Sequence, residues 1–217
     1  VWPRQSATSF RYDKKLAGGG VLADIGVHVL DLMLWWFDDY RRGPDGEPVL
    51  RYFDDDMGGV EANCLLEIEV YPAASKDTGP AGVSDVIPAR TVSGTVELSR
   101  SRNLRNSWIF CGERGTLEVG TGAESLIHLQ LDGQQTALTG NATRDRIRDH
   151  RHVDVFARQV EDFVRAVREH GKPLIPGKEG RRVVELMEIC YARKQPLVLP
   201  WLVPSPPTDP ALVGEVS

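Results

Sequence analysis

Cysteine and methionine are scarce, three of each in 217 residues. Cys64, Cys111 and Cys190 stand far apart with no CxxC pair, which supports neither a zinc knuckle nor a disulfide framework. Each lies in an apolar stretch, where a free thiol behaves as a small buried hydrophobe. Basic charge is also short. Lys and Arg number 26 against 31 Asp and Glu, a net charge of −5, and they are scattered apart from pairs such as Arg181-Arg182. Nucleic-acid phosphates call for a basic field, so no nucleic-acid partner is expected. The chain opens VWPRQSATSFRYDKK, without the apolar run of a signal peptide. Its most apolar segment, residues 21–37, is interrupted by Asp24, His28 and Asp31 and reads as too short and too polar to span a bilayer. The sequon Asn141-Ala142-Thr143 then reads as chance, and the expectation is a cytoplasmic protein with no membrane partner.

What is present is ordinary for a globular protein: 41% hydrophobic and 26% charged residues. A chain this long buries roughly 70% of its unfolded surface and needs no metal or disulfide staple. One strong helix is expected over residues 20–37, then a turn-rich stretch over 38–48 with Gly-Pro and Asp-Gly breakers. Short runs rich in β-branched and aromatic residues follow at 60–71, 91–99, 107–111, 116–119 and 125–131. Tight turns at Gly112-Glu113-Arg114-Gly115 and Gly120-Thr121-Gly122 imply antiparallel neighbours, because parallel ones need a long crossover. A Pro-, Gly-, Ala- and Ser-rich stretch over 72–90 reads as a long hairpin loop. Two amphipathic helices close the chain, one carrying Val153, Phe156, Val160, Phe163, Val164 and Val167, the other Val183, Leu186, Met187 and Cys190. The expected fold is α+β, a predominantly antiparallel open β-sheet with helices packed on one face, forming a single domain over 1–203 with a Pro-rich tail over 204–217.

Gly18-x-Gly20-x-x-Ala23 with Asp38 twenty residues on imitates a dinucleotide fingerprint. That motif works only where a buried strand runs into the glycines and a second strand follows the helix. Arg11-Tyr12-Asp13-Lys14-Lys15 cannot be that strand, so the fingerprint is rejected.

On a helix, Asp24, His28, Asp31 and Trp35 share one narrow strip, while every other face is apolar. An unpaired buried carboxylate costs several kcal/mol, so the strip must face partners or a cleft. In one reading Asp24 and His28 simply satisfy each other in the core. In another His28 is a general base and Asp24 holds its tautomer. A metal reading could recruit Asp31 but lacks an HExxH-like cluster, and no metal is expected. His150 and His152 read as a solvated lead-in to the next helix. Arg102, Asn103, Arg105 and Asn106 in SRSRNLRN are either substrate contacts or exposed polar groups at strand edges. The triple glycine at the helix entrance lets a ligand or another backbone approach its N–H groups.

GGGVLADIGVHVLDLMLWWF resembles the signature opening the C-terminal domain of the glucose–fructose oxidoreductase/inositol dehydrogenase/MocA family, roughly GGGxLxDxGxHxxD. GGVEANCLLEIEV, GTVELSRSRN, GERGTLEV and FVRAVREHGKPLIPGKEGRRVVELMEICYA are similar to its strands and closing helices in the same order. The resemblance implies a substrate domain for a sugar, polyol or related compound, oligomerising through its sheet. It implies His28 as catalytic acid/base, Asp24 as its partner and a substrate contact, and Gly18, Gly19 and Gly20 as shaping the approach near the nicotinamide. NAD or NADP would belong to a Rossmann domain that these residues do not contain, and the family's Glu-Lys-Pro motif is absent from them. The expectation is therefore a piece of a longer dehydrogenase, with no cofactor bound to it and no activity alone. The alternative is a non-catalytic carbohydrate-binding or oligomerisation module of the same fold.

Overall fold

A computed structural model describes residues 10, 13–56, 60–72, 91–121, 126–133, 140–141 and 152–198. They fall into two compact units, one within Val1–Asn103 and Lys178–Ser217, the other within Leu104–Gly177.

The first unit begins with α1 (Lys14–Ala17), capped by the Asp13 carboxylate and ended by Gly18 at φ 73°. Val21 leads into a π-turn, Leu22–Gly26, which runs directly into α2 (Val27–Trp36). By length and hydropathy Lys14–Trp36 could cross a membrane. The left-handed Gly18 breaks that run, however, and what continues from Val21 is about 24 Å long, short of the roughly 30 Å hydrocarbon layer.

Strands β1 (Phe37–Tyr40), β2 (Leu50–Asp54), β3 (Asn63–Pro72) and β4 (Val92–Ser99) form an antiparallel sheet around β3. One edge of β3 pairs with β4, from Asn63↔Ser99 to Val70↔Val92. Its other edge takes β2 and then β1 end to end. After α4 (Gly177–Ala192), the short β9 (Lys194–Pro196) pairs with β2, and this is the parallel pair of the sheet. Cys64, Leu66, Ile68 and Val70 alternate onto the buried face, with Tyr52, Val96 and Leu98 beside them. Leu22 from the π-turn, Leu30, Met33 and Leu34 from α2, and Val183, Leu186 and Cys190 from α4 complete that core. Residues on the opposite face carry cross-strand ion pairs, Arg51 with Glu67 and Arg41 with Glu69. Pairs so exposed contribute about 0–1 kcal/mol each.

The helix gives way to β1 one residue earlier than expected, and the supposed turn at 38–40 is strand. Asp38 and Asp39 hide it from a propensity reading, yet Tyr40 pairs with Val70 and is buried.

The second unit is a meander, β5 (Ser107–Gly112), β6 (Gly115–Gly120), β7 (Leu126–Leu131) and β8 (Gly140–Asn141), followed by α3 (His152–Arg168). Gly115 is required at the first turn. Its φ is 145°, and a Cβ there would stand 2.0 Å from the Gln130 carbonyl. Beyond α3 the left-handed residue is His170 (φ 50°), one before the expected stop at Gly171. The Leu174 N–H donates to the Asp162 carboxylate at 2.7 Å, and this bond with Arg165 holds the Asp162 carboxyl below the usual range. The architecture is mixed α/β with mostly antiparallel sheets. Of the loop expected at 72–90, Pro72 is the last residue of β3 and 73–90 lie outside the described residues, as do the tail at 204–217, Gly122 and His150.

Candidate functional site

The end of β4 aims a side chain at the helix entrance. The Ser99 hydroxyl accepts from the backbone N–H of Ser101 (3.1 Å) and Arg102 (2.8 Å), and it donates to the Asn63 side-chain oxygen (2.5 Å). The Arg100 N–H donates to the Ala62 carbonyl at 2.8 Å, carrying the ladder one residue further. Strand alternation therefore places Arg100 on the face of buried Val96 and Leu98. Leu98 lies against Gly26, where a Cβ would come within 2.8 Å of Leu98 Cδ1. One step beyond, Arg100 Nη2 donates to the Gly20 carbonyl (3.2 Å) and to Asp24 Oδ2 (2.8 Å). The Arg100 side chain is 10% exposed and that of Asp24 28%. At that burial, removing either partner costs the other a charge-assisted hydrogen bond.

A second acid closes the entrance. Glu61 is 3% exposed. Its carboxylate accepts the N–H of Gly20 (2.8 Å) and of Leu22 (3.1 Å), and its own carbonyl accepts the Val21 N–H (2.9 Å). Helix-start donors otherwise left orphaned are thus taken, and the negative charge suits the positive end of the helix dipole. The Tyr191 hydroxyl donates to Glu61 Oε1 at 2.8 Å. Burial, then the bond to Glu61, pushes the Tyr191 phenol well above its ordinary range, so it stays a donor. Tyr191 also meets Tyr52 edge to face, with ring centroids 6.0 Å apart. Nearby, Asp55 accepts from the Ala62 and Asn63 N–H groups at 2.8 Å each, and Asp56 takes Lys14 and Lys194.

The glycines have separate reasons. A Cβ on Gly20 would stand 2.0 Å from the Glu61 carbonyl oxygen, and one on Gly19 would stand 2.2 Å from the Tyr191 hydroxyl. Gly18 has nothing within 4 Å of that position but needs its positive φ. The backbone and side chain that approach the helix entrance are the chain's own. A dinucleotide phosphate would need the same N–H groups and the same space, and it would meet the Glu61 carboxylate there. The N–H groups at the entrance are therefore taken and form no phosphate-binding loop.

The strip read from the sequence is on the surface. Asp24 is half-buried, His28 and Asp31 are exposed, and Trp35 is 76% exposed. Asp24 turns to Arg100, and among the described residues none hydrogen-bonds to the His28 imidazole. The π-turn lies under Asp24 and ends one residue before α2, which carries His28. Such an inserted residue widens a helix and often marks a functional segment. Arg102 pairs with Glu97 at 2.7 Å, and Arg105 pairs with Glu118 in the second unit. Asn103 is exposed, and the Asn106 carbonyl accepts the N–H (3.0 Å) and hydroxyl (3.1 Å) of Thr121. Among the described residues no group of three or more His, Cys, Asp or Glu could hold a metal ion.

Sequence reasoning missed Arg100, Glu61 and Tyr191. Their partners lie 76, 41 and 130 residues away, beyond any local spacing rule. The one local signal was Glu61 itself, an acid just ahead of an apolar strand.

The fold is one found in dehydrogenases. The chain is similar to UDP-N-acetylglucosamine 3-dehydrogenase from Acidithiobacillus ferrooxidans, at 18% identity and a TM-score of 0.52, over 80% of this chain and 47% of that one. It is similar to a levoglucosan dehydrogenase in complex with NADH, at 15% identity and a TM-score of 0.60, over 88% and 52%. An NAD-binding oxidoreductase from Klebsiella pneumoniae matches at 15% identity and a TM-score of 0.56, over 86% and 51%. The chain thus spans about half the length of the solved structures it matches. Residues 1–42, which include the glycines and the Asp24–His28 strip, match the GFO/IDH/MocA C-terminal domain. The chain resembles that domain in its leading motif and in its fold. Comparison with curated proteins gives no match.

Proposed function

We propose that this chain is the substrate-handling half of an NAD(P)-dependent oxidoreductase acting on the CH–OH group of a sugar, polyol or related compound. The observation that carries the reading is an exposed imidazole, His28, four residues after a carboxylate clamped by Arg100, at the helix matched by the family model. An imidazole can both take and give a proton near neutrality, as oxidation of an alcohol to a carbonyl requires. His28 holds the hydroxyl proton, and Asp24, held by Arg100, contacts the substrate. Gly18, with open space beside it, keeps side chains away from the approach. NAD or NADP, held outside this chain, supplies hydride transfer. The partly exposed outer face of the sheet is the surface for self-association. The chain alone is inactive.

The test is turnover of hydroxylated substrates by the dehydrogenase carrying this chain and a cofactor-binding half. His28→Ala is expected to lower kcat by roughly 10²–10⁴. Unchanged turnover in that variant removes His28 as the acid/base.

A further inference from the structure

We propose that Arg100 is a positioning residue for the Asp24–His28 strip: by gripping the Gly20 carbonyl and the Asp24 carboxylate together, it sets the turn from which His28 projects. The inference rests on the reading of His28 as acid/base and adds the device that holds it in place.

Three observations support it. The first is reach. Arg100 sits at the register position where β4 passes from the Leu98–Gly26 contact to the helix entrance, and its Nη2 spans both acceptors. The second is the acceptor itself. The Gly20 carbonyl also takes the Asp24 N–H at 3.1 Å, so guanidinium, carbonyl and Asp24 backbone form one closed unit across the first turn. One nitrogen, Nη2, addresses both acceptors, and its two N–H bonds are fixed in the guanidinium plane, whereas those of an ammonium rotate freely. The third is the neighbouring cation. Arg102, two residues on, uses its own Nη2 on Glu97. Displacing a reacting group by about 1 Å can cost 10²-fold in rate, so a residue that touches no substrate can still govern turnover.

The experiment compares Arg100→Met and Arg100→Lys with the parent chain, using amide hydrogen exchange over residues 21–28 and the His28 ring signals by NMR, with thermal melts as fold control. Arg100→Met is expected to speed exchange in this segment by about tenfold while amides of β3 keep their protection. Asp24→Asn is expected to give a smaller change in the same segment, because it leaves the bond to the Gly20 carbonyl, and the double variant no more than Arg100→Met, because the Asp24 contact is already lost there. Arg100→Lys, with one point charge for two acceptors, should restore part of the protection; its folded core keeps the test alive if Arg100→Met does not fold. In the complete dehydrogenase, Arg100→Met is expected to lower kcat by about tenfold with KM within about twofold, partly rescued by Lys. Parent-like exchange and His28 signals in Arg100→Met, simple additivity with Asp24→Asn, or equal loss in the Lys and Met variants overturns the proposal. If His28→Ala leaves turnover intact while Arg100→Met still moves the His28 signals, the clamp stands and the acid/base reading fails.

Discussion

The two units are built on different principles. In the first, the described core residues interlock: Tyr52, Leu22, Leu30, Leu66 and Leu186 are almost fully buried, and buried Asp54, Glu61 and Asn63 lie among them. In the second, Ala166 alone among the described apolar residues is buried, while Ile109, Phe156, Val160 and Phe163 are each about half exposed or more. The first unit has the rigidity a site needs, because a long-range clamp such as Arg100–Asp24 holds only if both of its supports are immobile. The meander is held mainly by its backbone ladder.

This contrast breaks most sharply at glycine. Gly20→Ala is expected to cost about 3 kcal/mol or to abolish folding, since the new methyl meets the Glu61 backbone and not a flexible chain end. Gly171→Ala, in the second unit with open space at its Cβ, should not lose stability, and denaturant midpoints of the two variants decide the matter. Equal midpoints would mean that the Glu61 cap does not form.

A smaller effect separates the thiols. Burial pushes Cys64 and Cys190 from 9.0 up to about 12, whereas Cys111 in the second unit is exposed. One thiol should react quickly with a disulfide reagent at neutral pH and two only on unfolding. Because the folded thiols hold their protons above the unfolded value, their stabilising contribution is complete below pH 9 and lost as pH rises from 9 towards 12. Chemical denaturation across that window should therefore show falling stability, at up to about 1.4 kcal/mol per pH unit for each group. Three fast thiols, or flat stability, would erase the difference between the units.

The smallest expected change is at Trp35. At 76% exposure, Trp35→Ala should leave the chain's stability within about 0.5 kcal/mol. A large loss in a melt would show that the strip is already covered.

Much of this was legible in sequence. The strands at 60–71, 91–99, 107–111 and 116–119 follow from β-branched alternation, and the hairpin at 112–115 follows from its flanking glycines. The closing helices follow from their stripes. Strand β1 was hidden by its two aspartates, and β9 by its brevity and by lying 142 residues from the strand it joins. At the site, helical periodicity alone put Asp24 and His28 on one strip, because that depends only on spacing along one element. It could not choose between His28 and Arg100 as the partner of Asp24, nor between a ligand and Glu61 above the glycines. Those outcomes depend on which face of β4 meets the helix and where the chain before β3 passes. Sequence by itself determined the amphipathic pattern and the demand that glycines admit something close; tertiary packing decided what enters, since hydrogen bonds between residues 41 to 130 positions apart form only once the sheet is assembled.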